Sequence, residues 1–324
     1  ASSDNVRVAA WPSVMNREKL NSNLLLLITS IIWGFGFVAQ EMGSDHLGPN
    51  AFNGTRYSVG AVCLLVILLL WHRGRAMDGF RSRDWVKASL SAGLFLFFGS
   101  LLQQAGIGYE ATGPGKAGFI TGLYVVIVPL LGLTLGHRTN AQMWAGVALA
   151  TVGLWLLSFN LGNEQWAIRR GDLLVFFGAF CWAAHVLVID RFANRVSSLH
   201  LALGQVTVCA GASWVASALA EPMEWASFRA AFLPALYLGS MSIAVAFTMQ
   251  IIGQRKAHPT HASIIFAMEA VVGVFAGWLI LHEQLTQREL AGCLLMFCGM
   301  VLSQLPVRLI RLGLTRRAND KPPA

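Results

Sequence analysis

The sequence predicts an all-α polytopic membrane protein with ten transmembrane helices, arranged as two inverted five-helix repeats. The 324-residue chain is 55% hydrophobic and only 12% charged, whereas an ordinary soluble domain is about 25% charged. Ten apolar runs each approach the roughly 20 residues that a bilayer core about 30 Å thick requires. The two halves of the chain also match each other at nearly constant offsets.

The ten apolar runs follow one another with short connections, which leave no room for a hydrophilic domain. Turn residues such as Gly48-Pro49 and Glu221-Pro222 occupy these connections. The predicted spans cover residues 22–40, 51–72, 85–106, 113–135, 141–160, 172–190, 199–220, 230–253, 259–281 and 288–305.

Basic residues predict the orientation of the helices, because the cytoplasmic loops of membrane proteins are enriched in Lys and Arg. If the N-terminus is cytoplasmic, eighteen of the 24 Lys and Arg residues fall in inner segments. Both termini are then cytoplasmic, and we expect a multi-pass protein of the bacterial inner membrane. The net charge of +8 makes membrane lipid headgroups an expected partner, and nucleic acid is not one.

The expected organisation has four segments. Residues 1–21 form a cytoplasmic tail that lacks the apolar core of a cleavable signal peptide. Residues 22–160 and 161–305 are the two five-helix units, and residues 306–324 form a basic cytoplasmic tail. The five cysteines fall within predicted spans without CxxC spacing. They are therefore expected to pack rather than to form disulfides or a metal site.

Internal similarity relates the two units. A shift of 146 residues lays 135–157 on 281–303, and a shift of 149 aligns the earlier helices. Since each unit has an odd number of helices, the second unit enters the membrane from the opposite side. Many secondary transporters have this design, with a substrate site near the midplane. The matched pairs include Gly146 with Gly292, Gly153 with Gly299, Trp33 with Trp182, Arg56 with Gln205 and Gln104 with Gln250.

Motifs in both units resemble the EamA-type repeats of the drug/metabolite transporter superfamily. These motifs are Trp33-Gly34, Arg56-Tyr57, "TGLYVVIVPLLG" at 121–132 and "MEAVVGVFAGWLILHEQLTQRELAGCLLMFCGM" at 268–300. The resemblance covers about residues 22–305 and implies a transporter. Within the family, the sequence is most similar to YddG-like exporters of aromatic and other amino acids.

We therefore expect a secondary transporter that exports amino acids, including aromatic ones, and related metabolites by alternating access. Cationic drugs are a further expected class of small-molecule substrate. The chain has no Walker-type Gly-rich loop with its Lys, so it does not use ATP, and no cofactor is predicted. The alternatives are a membrane-embedded enzyme acting on lipid-linked substrates, and a channel or sensor. No nucleophile or metal with supporting acid and base assembles, so an enzyme is not expected.

Glu269 is a carboxylate within the apolar run "IIFAMEAVVGVF" at 264–275. An ionisable group in lipid is costly and normally faces a partner or a watery cavity. The carboxylate is therefore interpreted as a ligand for a substrate ammonium group, a proton-titrating gate, or both. The alternative is a group that caps a broken helix or is held by a neighbour. We expect it to face a cavity near Trp33, Tyr124 and Trp182.

Arg56 lies about one turn into the second helix. It is interpreted as a ligand for a substrate carboxylate, as a structurally paired group, or as a side chain that snorkels to the outer headgroups. Aromatic and amide side chains at helical spacing suit a moderately polar organic substrate, although packing explains any single one. The predicted substrate-binding residues are Trp33, Phe37, Gln40, Arg56, Gln104, Tyr124, Trp182, His185, Gln250, Phe266 and Glu269.

No metal site is predicted. His258 and His261 have an i, i+3 spacing that metal sites use, but no third ligand is evident and His282-Glu283 does not continue into HExxH.

Small residues and a proline predict where helices pack closely or bend. The pairs Gly118/Gly122 and Gly273/Gly277 have the spacing that lets neighbouring helices approach each other. Pro129, inside the predicted fourth span, marks an expected bend.

Overall fold

The fold is all-α in the computed structural model, which describes residues 17–72, 82–108, 114–158, 169–222, 224–281 and 286–304. Most of the two predicted tails therefore lies outside the described residues. The helices are α1 (Arg17–Ser44), α2 (Pro49–His72), α3 (Arg83–Gly108), α4 (Pro114–Gly122), α5 (Tyr124–Thr134), α6 (Ala141–Ser158), α7 (Arg170–Phe192), α8 (Ser198–Ala220), α9 (Trp225–Ala230), α10 (Phe232–Tyr237), α11 (Phe247–Gln254), α12 (Pro259–Phe266), α13 (Met268–Leu281) and α14 (Gln287–Gln304). A π-helical segment, Leu238–Ala246, joins α10 to α11.

Eight helical segments of the described chain are long and apolar enough to cross a membrane. The predicted fifth and tenth spans are also helical, as α6 and α14, but they are not among the eight. The apolar part of α6, Ala141–Leu157, is shorter. The number of ten spans therefore stays a prediction. The eight segments are Arg17–Ser44, Pro49–Leu70, Arg83–Gly108, Lys116–Thr134, Arg170–Phe192, Ser198–Ala220, Phe232–Gln254 and Pro259–Ala276.

Two predicted spans are interrupted, one in each half of the chain. The fourth divides at Leu123 into α4 and α5, and the ninth divides at Ala267 into α12 and α13. The expected bend at Pro129 is not where the fourth span divides, since Pro129 lies inside α5. Broken helices are tolerated at membrane depth where protein groups satisfy the freed backbone atoms. The Ser30 hydroxyl does so by donating to the carbonyl oxygen of Ile265 at 2.8 Å.

The two halves of the chain pack against each other through close glycine contacts. A Cβ atom on Gly146 would lie 2.9 Å from the carbonyl oxygen of Gly299, and one on Gly153 would lie 2.6 Å from that of Gly292. The contacts therefore join α6 and α14 in antiparallel fashion. The same contacts also appear in reverse, because a Cβ on Gly292 would lie 2.6 Å from the oxygen of Gly153.

A second pair of contacts shows the same reciprocity. A Cβ on Gly93 would lie 2.9 Å from the carbonyl oxygen of Gln205, and one on Gly239 would lie 2.7 Å from that of Arg56. Gly239 is Gly93 shifted by 146 residues, and Gln205 is Arg56 shifted by 149. The same helix contact therefore occurs twice, with the roles of the two halves exchanged.

Two apolar clusters fill most of the bundle interior. One surrounds Val128, Leu154 and Ile265, and the other surrounds Leu96 and Ile243. Trp33 and Trp182 pack against both clusters. The two tryptophans thus lie at the centre of the bundle, where the candidate site is found.

The α6–α14 contact gives a stability prediction. We expect Gly153→Ala to destabilise the protein by about 1–3 kcal/mol, since the added methyl group has no room and the backbone of Gly292 must shift. The measurement is the thermal unfolding midpoint of the detergent-solubilised protein. Gly211→Ala in α8 is the control, because nothing lies within 4 Å of its added Cβ. An equal midpoint for the two variants would contradict the packing argument.

Candidate functional site

A central cavity of about 60 Å³ lies between helices of both halves of the chain. Residues of α1, α2, α3, α4, α5, α7, α11, α13 and the π-helical segment contribute to its wall. The lining residues are Trp33, Phe37, Gln40, Arg56, Tyr57, Gln103, Thr121, Tyr124, Trp182, Ser242, Ile243, Phe247 and Glu269.

The cavity brings together seven of the eleven predicted binding residues. Their contact with a substrate stays a prediction, but their convergence at one place is a property of the fold. These seven are Trp33, Phe37, Gln40, Arg56, Tyr124, Trp182 and Glu269.

The other four predicted residues are buried but do not line the cavity. The Gln104 side chain donates from Nε2 to the carbonyl oxygen of Gln40 at 3.0 Å. The Phe266 ring packs on Trp33, with centroids 5.3 Å apart. His185 Nε2 forms a hydrogen bond with Gln205 Oε1 at 2.9 Å. Helical spacing placed these side chains in the interior, but their rotation about the helix axis turns them to neighbouring helices.

Six cavity residues were not among the predicted binding residues. Gln103 lines the cavity instead of its neighbour Gln104, and Thr121 precedes Tyr124 by one turn, so spacing offered a signal for both. Ser242 and Ile243 belong to the π-helical segment. Its register differs from that of an α-helix, so α-helical spacing could not indicate which side chains face inward. The six are Tyr57, Gln103, Thr121, Ser242, Ile243 and Phe247.

Glu269 lies where the two interrupted spans meet. It is in the first turn of α13, directly after the interruption at Ala267, and its Oε1 accepts a hydrogen bond from the Tyr124 hydroxyl at 3.0 Å. Tyr124 is the first residue of α5, directly after the interruption at Leu123. The partial positive charge at a helix N-terminus favours a carboxylate. Glu269 thus faces the cavity, begins a half-helix and is held by a neighbour.

Arg56 is a buried cation in the same cavity. Only 4% of the residue is exposed, so the snorkelling interpretation is wrong. Its Nε donates to Asn53 Oδ1 at 2.9 Å, and its guanidinium lies 5.2 Å from the ring centroid of Tyr57, within the range of a cation–π interaction. Among the described residues no carboxylate pairs with Arg56.

A chain of side-chain hydrogen bonds fixes one wall of the cavity. The Trp182 indole N–H donates to Gln103 Oε1 at 2.9 Å, and Gln103 Nε2 donates to Gln40 Oε1 at 3.0 Å. These hydrogen bonds connect α7, α3 and α1. Because a buried amide requires partners, the chain also fixes the orientation of the Trp182 ring at the cavity.

Stacked aromatic rings form another wall. The Phe247 ring centroid lies 5.2 Å from that of Trp33 and 6.4 Å from that of Trp182, and the planes of Phe247 and Trp182 differ by only 14°. The Trp33 indole N–H donates to the carbonyl oxygen of Ser242 at 3.2 Å. The π-helical segment therefore positions one tryptophan and supplies cavity-lining side chains.

The histidines that raised the question of a metal have other partners. His258 Nδ1 accepts a hydrogen bond from the backbone N–H of Thr260 at 3.3 Å, and burial with nearby His137 lowers the pKa of His258. His261 forms hydrogen bonds with Ser303 and Asn23 at 3.0 and 3.1 Å. In the described part of the chain no three His, Cys, Asp or Glu side chains converge as metal ligands. Residues 282–283 lie outside that part.

The Trp33-Gly34 motif has a structural explanation. A Cβ atom on Gly34 would lie 2.5 Å from Val272 Cβ and 2.7 Å from the carbonyl oxygen of Glu269. Gly34 thus lets α1 approach the start of α13, next to the Glu269 carboxylate. Gly273, for which close packing was expected, has its nearest contact at 3.8 Å. This is an ordinary van der Waals distance, so Gly273 lies against α1 but leaves room for a methyl group.

These two glycines give a matched pair of variants. We expect Gly34→Ala to displace the first turn of α13, with a destabilisation of about 1–3 kcal/mol and a shift in the tryptophan emission spectrum. Gly273→Ala lies in the same interface and has room for its methyl group, so both properties should be unchanged. The measurements are thermal unfolding and intrinsic fluorescence of the purified variants. A Gly34→Ala protein that resembles Gly273→Ala in both would refute the proposed contact.

Comparisons with known proteins agree with this architecture. The chain is 26% identical to the uncharacterized transporter YoaV of Bacillus subtilis, over 86% of this chain and 94% of that protein. It is 22% identical to a probable amino-acid metabolite efflux pump of Escherichia coli, over 88% and 95%. Identity to the aromatic amino acid exporter YddG of Escherichia coli is 27%, over 57% and 64%.

A solved crystal structure superposes with a TM-score of 0.73 at 19% identity, over 89% of this chain and 98% of the other, and so shares the fold. The sequence profile of the EamA-like transporter family matches residues 20–159 and again residues 169–305. These matches cover most of the chain, and the matched family consists of transporters and not of enzymes. The chain belongs to the EamA-like transporter family.

Proposed function

We propose that this protein is a secondary transporter that exports amino acids, including aromatic ones, and related metabolites by alternating access. The observation that carries the proposal is one buried cavity with a cation, a carboxylate and stacked aromatic rings in its wall. Among the residues that the structure describes, Arg56 and Glu269 are the charged ones that line it.

The cavity chemistry complements a zwitterion. The guanidinium of Arg56 offers N–H donors that suit a carboxylate. The carboxylate of Glu269 suits an ammonium group, and the rings of Trp33, Trp182 and Phe247 suit an aromatic or apolar side chain. An α-amino acid carries all three of these features. Amines and metabolites that share two of them form the wider substrate class, which includes cationic drugs.

The names of two relatives support the substrate class and the direction of transport. One is named as a probable amino-acid metabolite efflux pump and the other as an aromatic amino acid exporter. At 22% and 27% identity these relatives support a class of substrate rather than one compound.

The size of the cavity supports alternating access. Binding sites for small organic molecules usually measure about 300–1,000 Å³, whereas this cavity measures about 60 Å³. An amino acid therefore needs the walls to separate. The interruptions at Leu123 and Ala267 and the π-helical segment are places where helices can bend.

The reciprocal glycine contacts support two inverted repeats and, with them, ten spans. A two-fold relation requires that each contact between the halves has a partner with the roles exchanged. The α6–α14 contacts and the pair formed by Gly93 and Gly239 have this property. The EamA-like profile also matches twice in succession. We assign α6 and α14 as the fifth and tenth spans of this arrangement.

The basic residues support an inner-membrane location with cytoplasmic termini. The described chain has many membrane-length helices, and the family includes proteins of bacteria. Contact with anionic headgroups on the cytoplasmic side follows from the distribution of Lys and Arg.

The orientation is tested by thiol labelling in intact cells. A membrane-impermeant reagent should label Ser44→Cys and Asn163→Cys from outside, and it should label Ser82→Cys only after the membrane is opened. The native cysteines are replaced first, so that each variant carries one thiol. Equal labelling of all three variants in intact cells would refute the orientation.

The function is tested by uptake of radiolabelled amino acids into proteoliposomes. We expect uptake to saturate with substrate concentration and to be inhibited competitively by unlabelled aromatic amino acids. Glu269→Gln and Arg56→Gln should each raise the half-saturating concentration about 10- to 100-fold, which corresponds to the loss of one charge-assisted hydrogen bond. Arg56→Gln should raise the half-saturating concentration of an aromatic amine without a carboxylate far less than that of an amino acid. Glu269→Gln should likewise have a far smaller effect on the half-saturating concentration of an aromatic acid without an ammonium group.

Lys256→Gln is the control for removal of a charge, since Lys256 pairs with Glu18 at an exposed position away from the cavity. Its kinetics should equal those of the unmodified protein. If uptake by both cavity variants equals that of Lys256→Gln for every substrate, the proposed substrate site is refuted. A conductance that does not saturate would indicate a channel instead.

A further inference from the structure

Four polar side chains lie on the side of the aromatic rings that faces away from the cavity, and they do not line the cavity. They are His185 on α7, Gln205 on α8, and Gln250 and Gln254 on α11. Each is at most 2% exposed, and the surrounding cluster is apolar. We call these four residues the polar file.

Helical spacing and the contacts of two neighbouring residues indicate that Gln250 faces α7. Phe247, Gln250 and Gln254 follow each other at i, i+3 and i+7 and therefore share one face of α11. The Phe247 ring centroid lies 5.7 Å from that of His185, and Gln254 Nε2 donates to the carbonyl oxygen of Val186 at 2.9 Å. Gln250 thus lies between two contacts to α7.

The amides of the polar file have unused hydrogen-bonding atoms. Neither Nε2 nor Oε1 of Gln250 has a partner among the described residues, and the same holds for Gln205 Nε2 and Gln254 Oε1. Burying such groups without partners is unfavourable, and leucine or methionine would fill similar volumes without that penalty. The amides are therefore suited to an arrangement of the protein in which they meet other polar groups.

The internal similarity relates the polar file to the cavity. Gln205 corresponds to Arg56 by the shift of 149 residues, and Gln250 corresponds to Gln104 by the shift of 146. In an inverted repeat, groups near one membrane surface in the first unit have counterparts near the other surface in the second. In the proposed inverted repeat, Gln205 and Gln250 therefore lie towards the membrane surface at which α7 and α11 end, opposite the surface nearer to Arg56 and Gln104.

We propose that His185, Gln205, Gln250 and Gln254 line the inner half of the substrate path, which the rings of Phe247, Trp33 and Trp182 separate from the cavity in this structure. Neutral amides and an imidazole offer donors and acceptors to both ends of a zwitterion. They hold it less strongly than a charged group does, so it can pass on to Arg56 and Glu269. The identity of the substrate in this proposal rests on the proposed function.

Phe247 is the side chain that separates the two compartments. Its ring lines the cavity on one side and contacts His185 on the other. It is also the first residue after the π-helical segment. A change in the hydrogen-bond register of that segment would rotate Phe247 and connect the polar file to the cavity.

The test is the accessibility of single thiols in proteoliposomes of defined orientation, after replacement of the native cysteines. A membrane-impermeant methanethiosulfonate reagent should modify Gln250→Cys from the side that bears the N-terminus. The rate should exceed that of Ile189→Cys by at least tenfold, because Ile189 is fully buried in the apolar core on the same helix as His185. Thr121→Cys, in the cavity, should react from the opposite side.

Two results would overturn the proposal. One is a Gln250→Cys rate no higher than that of Ile189→Cys from either side, and the other is modification only from the side that modifies Thr121→Cys. Gln254→Cys replaces Gln250→Cys in the same assay if that variant does not fold. Labelling requires no particular substrate. Labelling without amino acid uptake therefore refutes the proposed function alone, and uptake without labelling refutes the path.

A second variant separates a transport role from a structural one. Gln250→Leu removes the two unpaired polar atoms, so the thermal unfolding midpoint should stay equal or rise while uptake falls at least tenfold. A structural role for the amide predicts the reverse, with a lower midpoint and normal uptake in the remaining folded protein.

Discussion

The rest of the structure depends on one constraint, which is that a polar group inside a bilayer must find its partners within the protein. The hydrogen bond between the Tyr124 hydroxyl and the Glu269 carboxylate meets this constraint where two spans are interrupted. The side chains of Ser30 and Trp33 meet it by donating to backbone carbonyls at Ile265 and Ser242. Interrupted and π-helical segments therefore lie around the cavity, where side chains can satisfy them.

The two halves of the chain are alike in packing but differ in charge. Trp33 and Trp182 correspond by sequence and both line the cavity, whereas the charged residues have neutral counterparts. Arg56 corresponds to Gln205, and Glu269 corresponds to Leu123. Arg56 and Glu269 both line the cavity, whereas their counterparts Gln205 and Leu123 are not among its lining residues. This difference supports the proposal of a strong site for a zwitterion in the cavity and of a weaker polar path formed by the polar file.

Close packing explains how so small a cavity is held in shape. Gly34, Gly146 and Gly153 let backbones approach to distances that a methyl group would prevent. Backbone atoms of neighbouring helices are then in direct contact, so sliding of one helix along the other would cause steric clashes. We therefore expect motion to be concentrated at the interruptions and at the π-helical segment rather than spread over the bundle.

The sequence by itself determined that the chain crosses a membrane and has two related halves. The thickness of the bilayer sets the length of each apolar run, and this requirement does not depend on neighbours. The sequence also indicated Trp33, Trp182 and Glu269 as interior residues, because charged and aromatic side chains are unusual at that depth.

Only the tertiary structure decided which polar residues share the cavity. Gln103 lines it while Gln104 turns to the Gln40 backbone, and Phe247 enters it from a helix whose register the π-helical segment shifts. The exposure of Arg56 and the place of the interruption at Leu123 were likewise undetermined. The cavity lining and the burial of Arg56 depend on the rotation of each helix about its axis, and the interruption depends on how the backbone of α4 and α5 packs. Neighbouring helices set both through contacts between residues distant in sequence.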